Sequence, residues 1–317
     1  MISRVKKKIT NRISNILRGI VRNEIENVLP ILPQLTEFQN SAKEDRQSFY
    51  DHTKDPLESI SFHEGLKDRL ISTGVPVDSI SIDIHGFERW LNDFPEIRRH
   101  YVKMGDVFIE KCLEHYLAFK HLNISSGDIY IDIASSGSPW SKILNSQGGI
   151  KAYRLDLSFP KGINDAEIGA DAGDTKLPDG FASVLSLQCA YECFMGNADI
   201  DFIKEANRIL NENGRYGIAP LYLTDIHFVS TSPYCNQAEV IIEPEARKVW
   251  RDDEYREPFS RHYSPESFAE RIVSMIPCGM VGKVLFFKNL GDMMRHYTGQ
   301  RIYCFFMFQC EKKEGSP

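Results

Sequence analysis

With 317 residues, 42% hydrophobic and 11% aromatic side chains, the chain is long enough for an α/β core plus an extension, and its composition excludes global disorder. A net charge of −6 argues against nucleic-acid binding by the molecule as a whole. That charge is uneven: residues 1–22 carry seven basic side chains and no acid, which leaves 31 basic against 44 acidic residues in the remainder.

The seven cysteines, at 112, 189, 193, 235, 278, 304 and 310, form no Cys-x-x-Cys pair. Such scatter suits a reducing compartment in which most thiols act as small core hydrophobes. No apolar run reaches the roughly 18 residues of a membrane span, and the N-terminus lacks a compact apolar signal segment. A cytoplasmic protein is expected. No histidine or carboxylate spacing of the His-x-x-x-His kind is present, so no metal is assigned.

In chain order, residues 2–29 place Ile2, Val5, Ile9, Ile13, Ile16, Leu17, Ile20 and Val21 at three- and four-residue steps, continued by Ile25, Val28 and Leu29 up to Pro30. This predicts an amphipathic helix with a basic opposite face. Such a helix can dock on its own domain, pair as a short coiled coil, or lie peripherally on an anionic membrane surface, where each Lys or Arg contributes roughly 1 kcal/mol. Residues 30–99 form a helical and linker extension, polar up to about residue 80, with Pro30, Pro33, Pro56 and Pro76. From Phe87 the pattern turns helical: Phe87, Trp90, Leu91 and Phe94 precede Pro95, and Val107, Ile109, Cys112, Leu113, Tyr116 and Leu117 form a second stripe. These helices are expected to cap a sheet, with Tyr101 and Tyr116 as packing residues.

The stretch Tyr130–Trp140 organises the rest of the chain. Ile129, Tyr130, Ile131 and Ile133 read as a buried strand. Small residues (Ala134, Ser135, Ser136, Gly137, Ser138) then allow close backbone approach, and Ser138-Pro139 predicts a helix N-cap with proline at the first helical position. A helix over Trp140–Ser146 ends at Gly148-Gly149. The strand Ala152–Asp156 ends in an acid 24 positions beyond Asp132, close to the roughly 20-residue spacing at which a βαβ unit sets a carboxylate against ribose hydroxyls. Asp171, before Ala172, stands where a carboxylate accepts a hydrogen bond from an adenine amino group. A strand at Ala182–Leu187, a helix at Ile200–Asn211 and a strand at Arg215–Leu223 extend the alternation into a doubly wound parallel sheet. Lys283–Lys288 and Ile302–Gln309 are two closing strands, too close for a crossover helix, which favours an antiparallel member.

Together these residues resemble the class I S-adenosylmethionine-dependent methyltransferases over about residues 100–311. Ile131-Asp-Ile-Ala-Ser-Ser-Gly-Ser138 occupies the place of that family's Asp-x-Gly-x-Gly-x-Gly turn, with Ala134, Ser136 and Ser138 where glycines are usual. Asp156, then Asp171-Ala172 with Leu177-Pro178 and Phe181, and Asn207-Arg-Ile-Leu followed by Gly214 match further segments. The closing strand pair is that fold's topological signature. The resemblance implies a Rossmann-like domain over 100–317 with a doubly wound, mostly parallel seven-stranded sheet and an antiparallel C-terminal strand. It implies S-adenosyl-L-methionine as cofactor, held by Asp132, Ala134, Ser136, Gly137, Asp156, Leu157, Asp171, Ala172 and Gln188.

Methyl transfer from a sulfonium needs orientation, water exclusion and a base for the acceptor proton, but no metal. Acceptor-side groups should follow the fourth and fifth strands and come from an insert at about 224–262, too long for a simple connection. His227 is the first candidate base, followed by His262 and Glu192. The charges between Glu243 and Arg261 read as a solvated mixed-charge helix. The expected activity is O-methylation of a small-molecule or glycan acceptor such as a surface polysaccharide. The rivals are a non-catalytic scaffold of the same fold and a nicotinamide-dependent oxidoreductase, although the latter depends on Gly-x-Gly-x-x-Gly, which is absent.

Overall fold

The computed structural model describes residues 32–47, 56–251 and 257–313. The expected amphipathic helix over residues 2–29 lies outside them. The chain begins with α1 (Leu32–Asn40), β1 (Arg46–Gln47), α2 (Pro56–Ser72) and β2 (Val77–Ile80). A helical cap comes next: α3 (Ile84–Asp93), α4 (Pro95–Tyr101) and α5 (Phe108–His121). Asp83 caps α3 by accepting from the Gly86 amide at 2.8 Å, and Phe94-Pro95 breaks the helix where proline removes a donor. The expected stripe is buried, with Phe87, Trp90 and Leu91 facing inward.

The core alternates β3 (Ile129–Ile133), α6 (Trp140–Gln147), β4 (Lys151–Asn164), β5 (Glu167–Gly169), β6 (Ala182–Gln188), α7 (Ala198–Ile209) and β7 (Leu210–Ala219). An insert carries β8 (Phe228–Thr231), β9 (Arg247–Arg251) and β10 (Ser260–His262), and the chain closes through α8 (Pro265–Arg271), β11 (Met280–Phe287), α9 (Leu290–His296) and β12 (Phe306–Lys312). The main sheet has the order β2-β11-β12-β7-β6-β3-β4-β5. β12 runs antiparallel to both β11 and β7, whereas the other pairs are parallel. The order reverses between β3 and β6, and ligands bind open α/β sheets in the crevice outside such a switch point.

Four details differ from the sequence reading. The sheet has eight strands, because Val77–Ile80 pairs with Val284–Phe287 as an extra edge. No helix joins β4 to β5: the chain loops out after Asp156 and returns with register shifts as far as Asn164, where Pro160 and Gly162 oppose helix formation. Pro139 is itself the N-cap of α6, and the Ser138 hydroxyl accepts from the Trp140 amide at 3.2 Å. The segment before β12 is buried at Ile302–Phe305 but is not strand.

The insert is not a solvated helix. It forms a second, four-stranded sheet of order β1-β9-β8-β10, in which Val249, Trp250 and Arg251 are all buried. The N-terminal segment docks on this sheet through Glu37 to Lys248 at 3.0 Å and Asp45 to Arg247 at 2.6 Å, with Phe38 edge-on to Trp250. Among the described residues no helix is long and apolar enough to cross a membrane.

Candidate active site

The turn after β3 holds its shape without the usual glycines. Ala134 adopts φ +54°, the left-handed conformation in which a Cβ costs roughly 1–2 kcal/mol. Backbone and hydroxyl bonds hold it there: the Ser135 amide donates to the Leu155 carbonyl at 3.2 Å and its hydroxyl to the Asp132 carbonyl at 2.8 Å. Ala134→Gly should therefore raise stability by about 1 kcal/mol, read as a higher denaturant midpoint. A lower midpoint would show that the alanine methyl packs favourably here.

Asp156 is fixed beside this turn. One carboxylate oxygen accepts from the Ser136 amide at 3.1 Å and the other from the Ser158 amide at 2.8 Å, which leaves lone pairs for a diol. Arg154 secures the arrangement by donating to the Ser136 carbonyl at 2.9 Å. The adjoining cleft, of about 290 Å³, is lined on one side by Ala134, Asp156, Leu157, Asp171 and Ala172, and on the other by Phe194 and Met195. Asp171 is braced by the Gly173 amide at 2.8 Å.

The other expected cofactor residues, Asp132, Ser136, Gly137 and Gln188, fall outside the residues that line this cleft. Ser136 and Gly137 are exposed on the turn. Asp132 lies beneath it, buried, with Oδ2 lacking a partner, and burial pushes its carboxyl up to about 7. Gln188, at the end of β6, donates to Ser186 at 2.7 Å and leaves its buried Oε1 without a partner. Unpaired buried acceptors carry a desolvation cost that a hydrogen-bond-donating ligand removes.

Glu192 lies in the turn after β6. Its Oε1 accepts from the Cys189 thiol at 3.2 Å, its Oε2 has no partner, and burial pushes its carboxyl up to about 7. Cys189 also meets the Tyr222 hydroxyl at 3.4 Å. His262 stacks on Phe228 at 4.4 Å and meets the Tyr222 ring at a tilt at 5.3 Å, and burial drives its imidazole down to about 3. The structure thus brings Glu192 and Tyr222 together on Cys189, with His262 against Tyr222, and none of Glu192, Tyr222 and His262 lines the cleft. His227 sits elsewhere, stacked on Tyr263 at 5.8 Å with Glu243 and Arg271 nearby, and burial lowers its pKa.

Sequence reasoning missed the buried polar side chains of α5. Lys111 donates to Glu114 at 2.8 Å, lies 5.7 Å from the Tyr303 ring centre, and its charge reaches both Cys189 and Glu192. Glu110 accepts from the Tyr303 amide at 2.9 Å, and burial beside Glu114 raises both carboxyls. The signal was present in the helix itself: Glu110, Lys111, Glu114 and His115 fall among the apolar positions and leave no continuous polar face.

The insert holds the cleft's lip. Arg261, fully buried, pairs with Asp199 at 2.9 Å and with Glu243, and donates to the Phe194 and Gly196 carbonyls at 2.6 and 2.7 Å. Arg271 and Tyr263 complete the network on Asp199 at 2.8 and 2.6 Å.

Neither a family model nor a curated protein matches the chain. Among solved structures it is similar to the 1,6-didemethyltoxoflavin-N1-methyltransferase of Burkholderia thailandensis, with 11% identity, 75% of this chain and 93% of that one covered, and a TM-score of 0.41. It is also similar to a putative S-adenosylmethionine-dependent methyltransferase of Listeria monocytogenes (13% identity, 65% and 99% covered, TM-score 0.40). A third is a methyltransferase of the same kind from Mesorhizobium loti (14% identity, 63% and 98% covered, TM-score 0.40). What decides the fold is the strand order β5-β4-β3-β6-β7-β12-β11 with β12 reversed. It is the strand arrangement that the resemblance to the class I methyltransferases implies. The cleft between Asp156 and Phe194 lies at the carboxyl ends of β3, of the first half of β4, and of β5 and β6.

Proposed function

We propose that the protein is an S-adenosylmethionine-dependent methyltransferase that methylates a hydroxyl oxygen of a small-molecule or glycan acceptor. One observation carries the reading: the Asp156 carboxylate, braced by two backbone amides, faces a cleft beside a turn held in the left-handed conformation a glycine usually supplies. The scaffold alternative rests on the missing glycines, and Ala134 weakens it by keeping that backbone.

When bound, the cofactor supplies an electrophilic methyl group on a sulfonium. Asp156 would hold the ribose diol, Asp171 and the Ala172 backbone would hold the base, and Phe194 with Met195 would exclude water from it. The unpartnered oxygens of Asp132 and Gln188 would accept from the cofactor's donors. Glu192 Oε2 would take the proton of the acceptor hydroxyl, and the Lys111 charge favours the ionised form of that carboxyl. A metal is not part of this scheme, and among the described residues no group of three or more His, Cys, Asp or Glu side chains is placed to hold one. The basic, amphipathic sequence of residues 2–29 supports an acceptor presented near an anionic membrane surface.

Isothermal titration with S-adenosylmethionine tests the cofactor. Asp156→Ala should weaken binding at least about tenfold, because two charge-assisted hydrogen bonds are lost. No heat from the wild type, or equal affinity in the variant, would overturn the reading.

A further inference from the structure

Away from the cleft, a second cavity of about 340 Å³ opens in the helical cap, within the size range of small-molecule sites. Leu91, Phe108 and Ile109 give it an apolar wall, and Arg98, Asn92 and Tyr297 supply polar groups. Arg98 is exposed and makes no ion pair with any described residue, unlike its neighbours: Arg89 meets Asp83 at 3.5 Å, Arg99 meets Glu96 at 2.7 Å, and Arg301 meets Asp106 at 2.7 Å. The Tyr297 hydroxyl oxygen is buried without a partner. The one acid at the rim, Glu88, is already engaged by His85 at 3.0 Å and His296 at 2.8 Å. The α5 amide that borders the cavity, at Ile109, donates to Gln300 at 3.1 Å, so the guanidinium and not the helix start supplies the cavity's positive charge.

We propose that this cavity is a binding site for a small monocarboxylate with an apolar body. The planar fork of Arg98 matches a carboxylate bidentately, a geometry that a point charge does not provide. The apolar body lies against Leu91, Phe108 and Ile109, and Asn92 offers an amide at the polar end. A single cation with Glu88 close by suits one negative charge and disfavours a phosphate dianion. The site is independent of the cofactor cleft, and its ligand does not depend on the methyltransferase reading.

The test titrates benzoate and octanoate into the full chain, monitored by saturation-transfer NMR, with benzyl alcohol as the uncharged analogue. Saturable binding of at least one carboxylate is expected, weakened about tenfold or more in Arg98→Ala, with partial recovery in Arg98→Lys. Arg98 is exposed, so the variants should keep the wild-type melting temperature, which serves as the folding control. Binding should persist in Asp156→Ala. Three results would overturn the proposal: no saturable binding of either carboxylate, unchanged affinity in Arg98→Ala, or equal affinity for benzyl alcohol.

Discussion

Arg261→Ala should cost about 3–5 kcal/mol of folding stability, because it strands the buried carboxylates of Asp199 and Glu243 and two loop carbonyls at once. Chemical denaturation measures the loss directly. A cost below about 1 kcal/mol, typical of a surface pair, would mean that the network is not a structural centre. A second readout separates stability from site geometry. Phe194 lines the cleft and its carbonyl is held by Arg261, so the variant should also bind S-adenosylhomocysteine more weakly at temperatures where it remains folded. Arg261→Lys keeps the charge but not the fork, and should recover only part of either loss.

Glu192→Gln should reduce turnover about 10²–10⁴-fold, while affinity for S-adenosylhomocysteine stays within about twofold, since the cofactor contacts are assigned to other residues. The pH profile distinguishes this base from its rivals. Glu192 must be ionised to accept a proton, and burial raises its carboxyl to about 7, so wild-type activity should climb as pH rises through that value. His262, held down to about 3 by burial, is already neutral at pH 5 and would give no such limb. A profile flat from pH 5 to 8, or a fully active Glu192→Gln enzyme, would remove Glu192 from the chemistry.

β3, the first half of β4, β6 and the second half of β7 were legible because their information is local, whereas β5 was not. β-branched strands, a small-residue turn and an acid at a βαβ distance sit within one another's reach along the chain. Val77–Ile80 was not legible, since Asp78 and Ser79 break any strand pattern and the segment is a strand through its pairing with Val284–Phe287. Arg247–Arg251 reads as solvated charge for the same reason: tertiary pairing with Phe228–Thr231 buries Arg251 along with Val249 and Trp250. The site divides in the same way. The nucleoside side follows from spacing, whereas Lys111 and Glu192 lie 81 positions apart and meet through packing alone. Among the candidate bases, Glu192 accepts a direct hydrogen bond from Cys189. His227 comes first on the chemistry of imidazole alone, and sequence has no way to show that Tyr263 and Glu243 are its neighbours.

The outermost strands of the main sheet have a bearing on how copies of this chain meet. β5 is three residues long and β2 four. The returning segment after Asp156 folds over the first, with Pro160 packed against Gly169, and the second carries Asp78 in an ion pair with Lys283 at 2.9 Å. Neither border offers a long, flat row of open amides and carbonyls on which a second chain could extend the sheet. The fold thereby protects itself against self-templated aggregation at both borders of the main sheet.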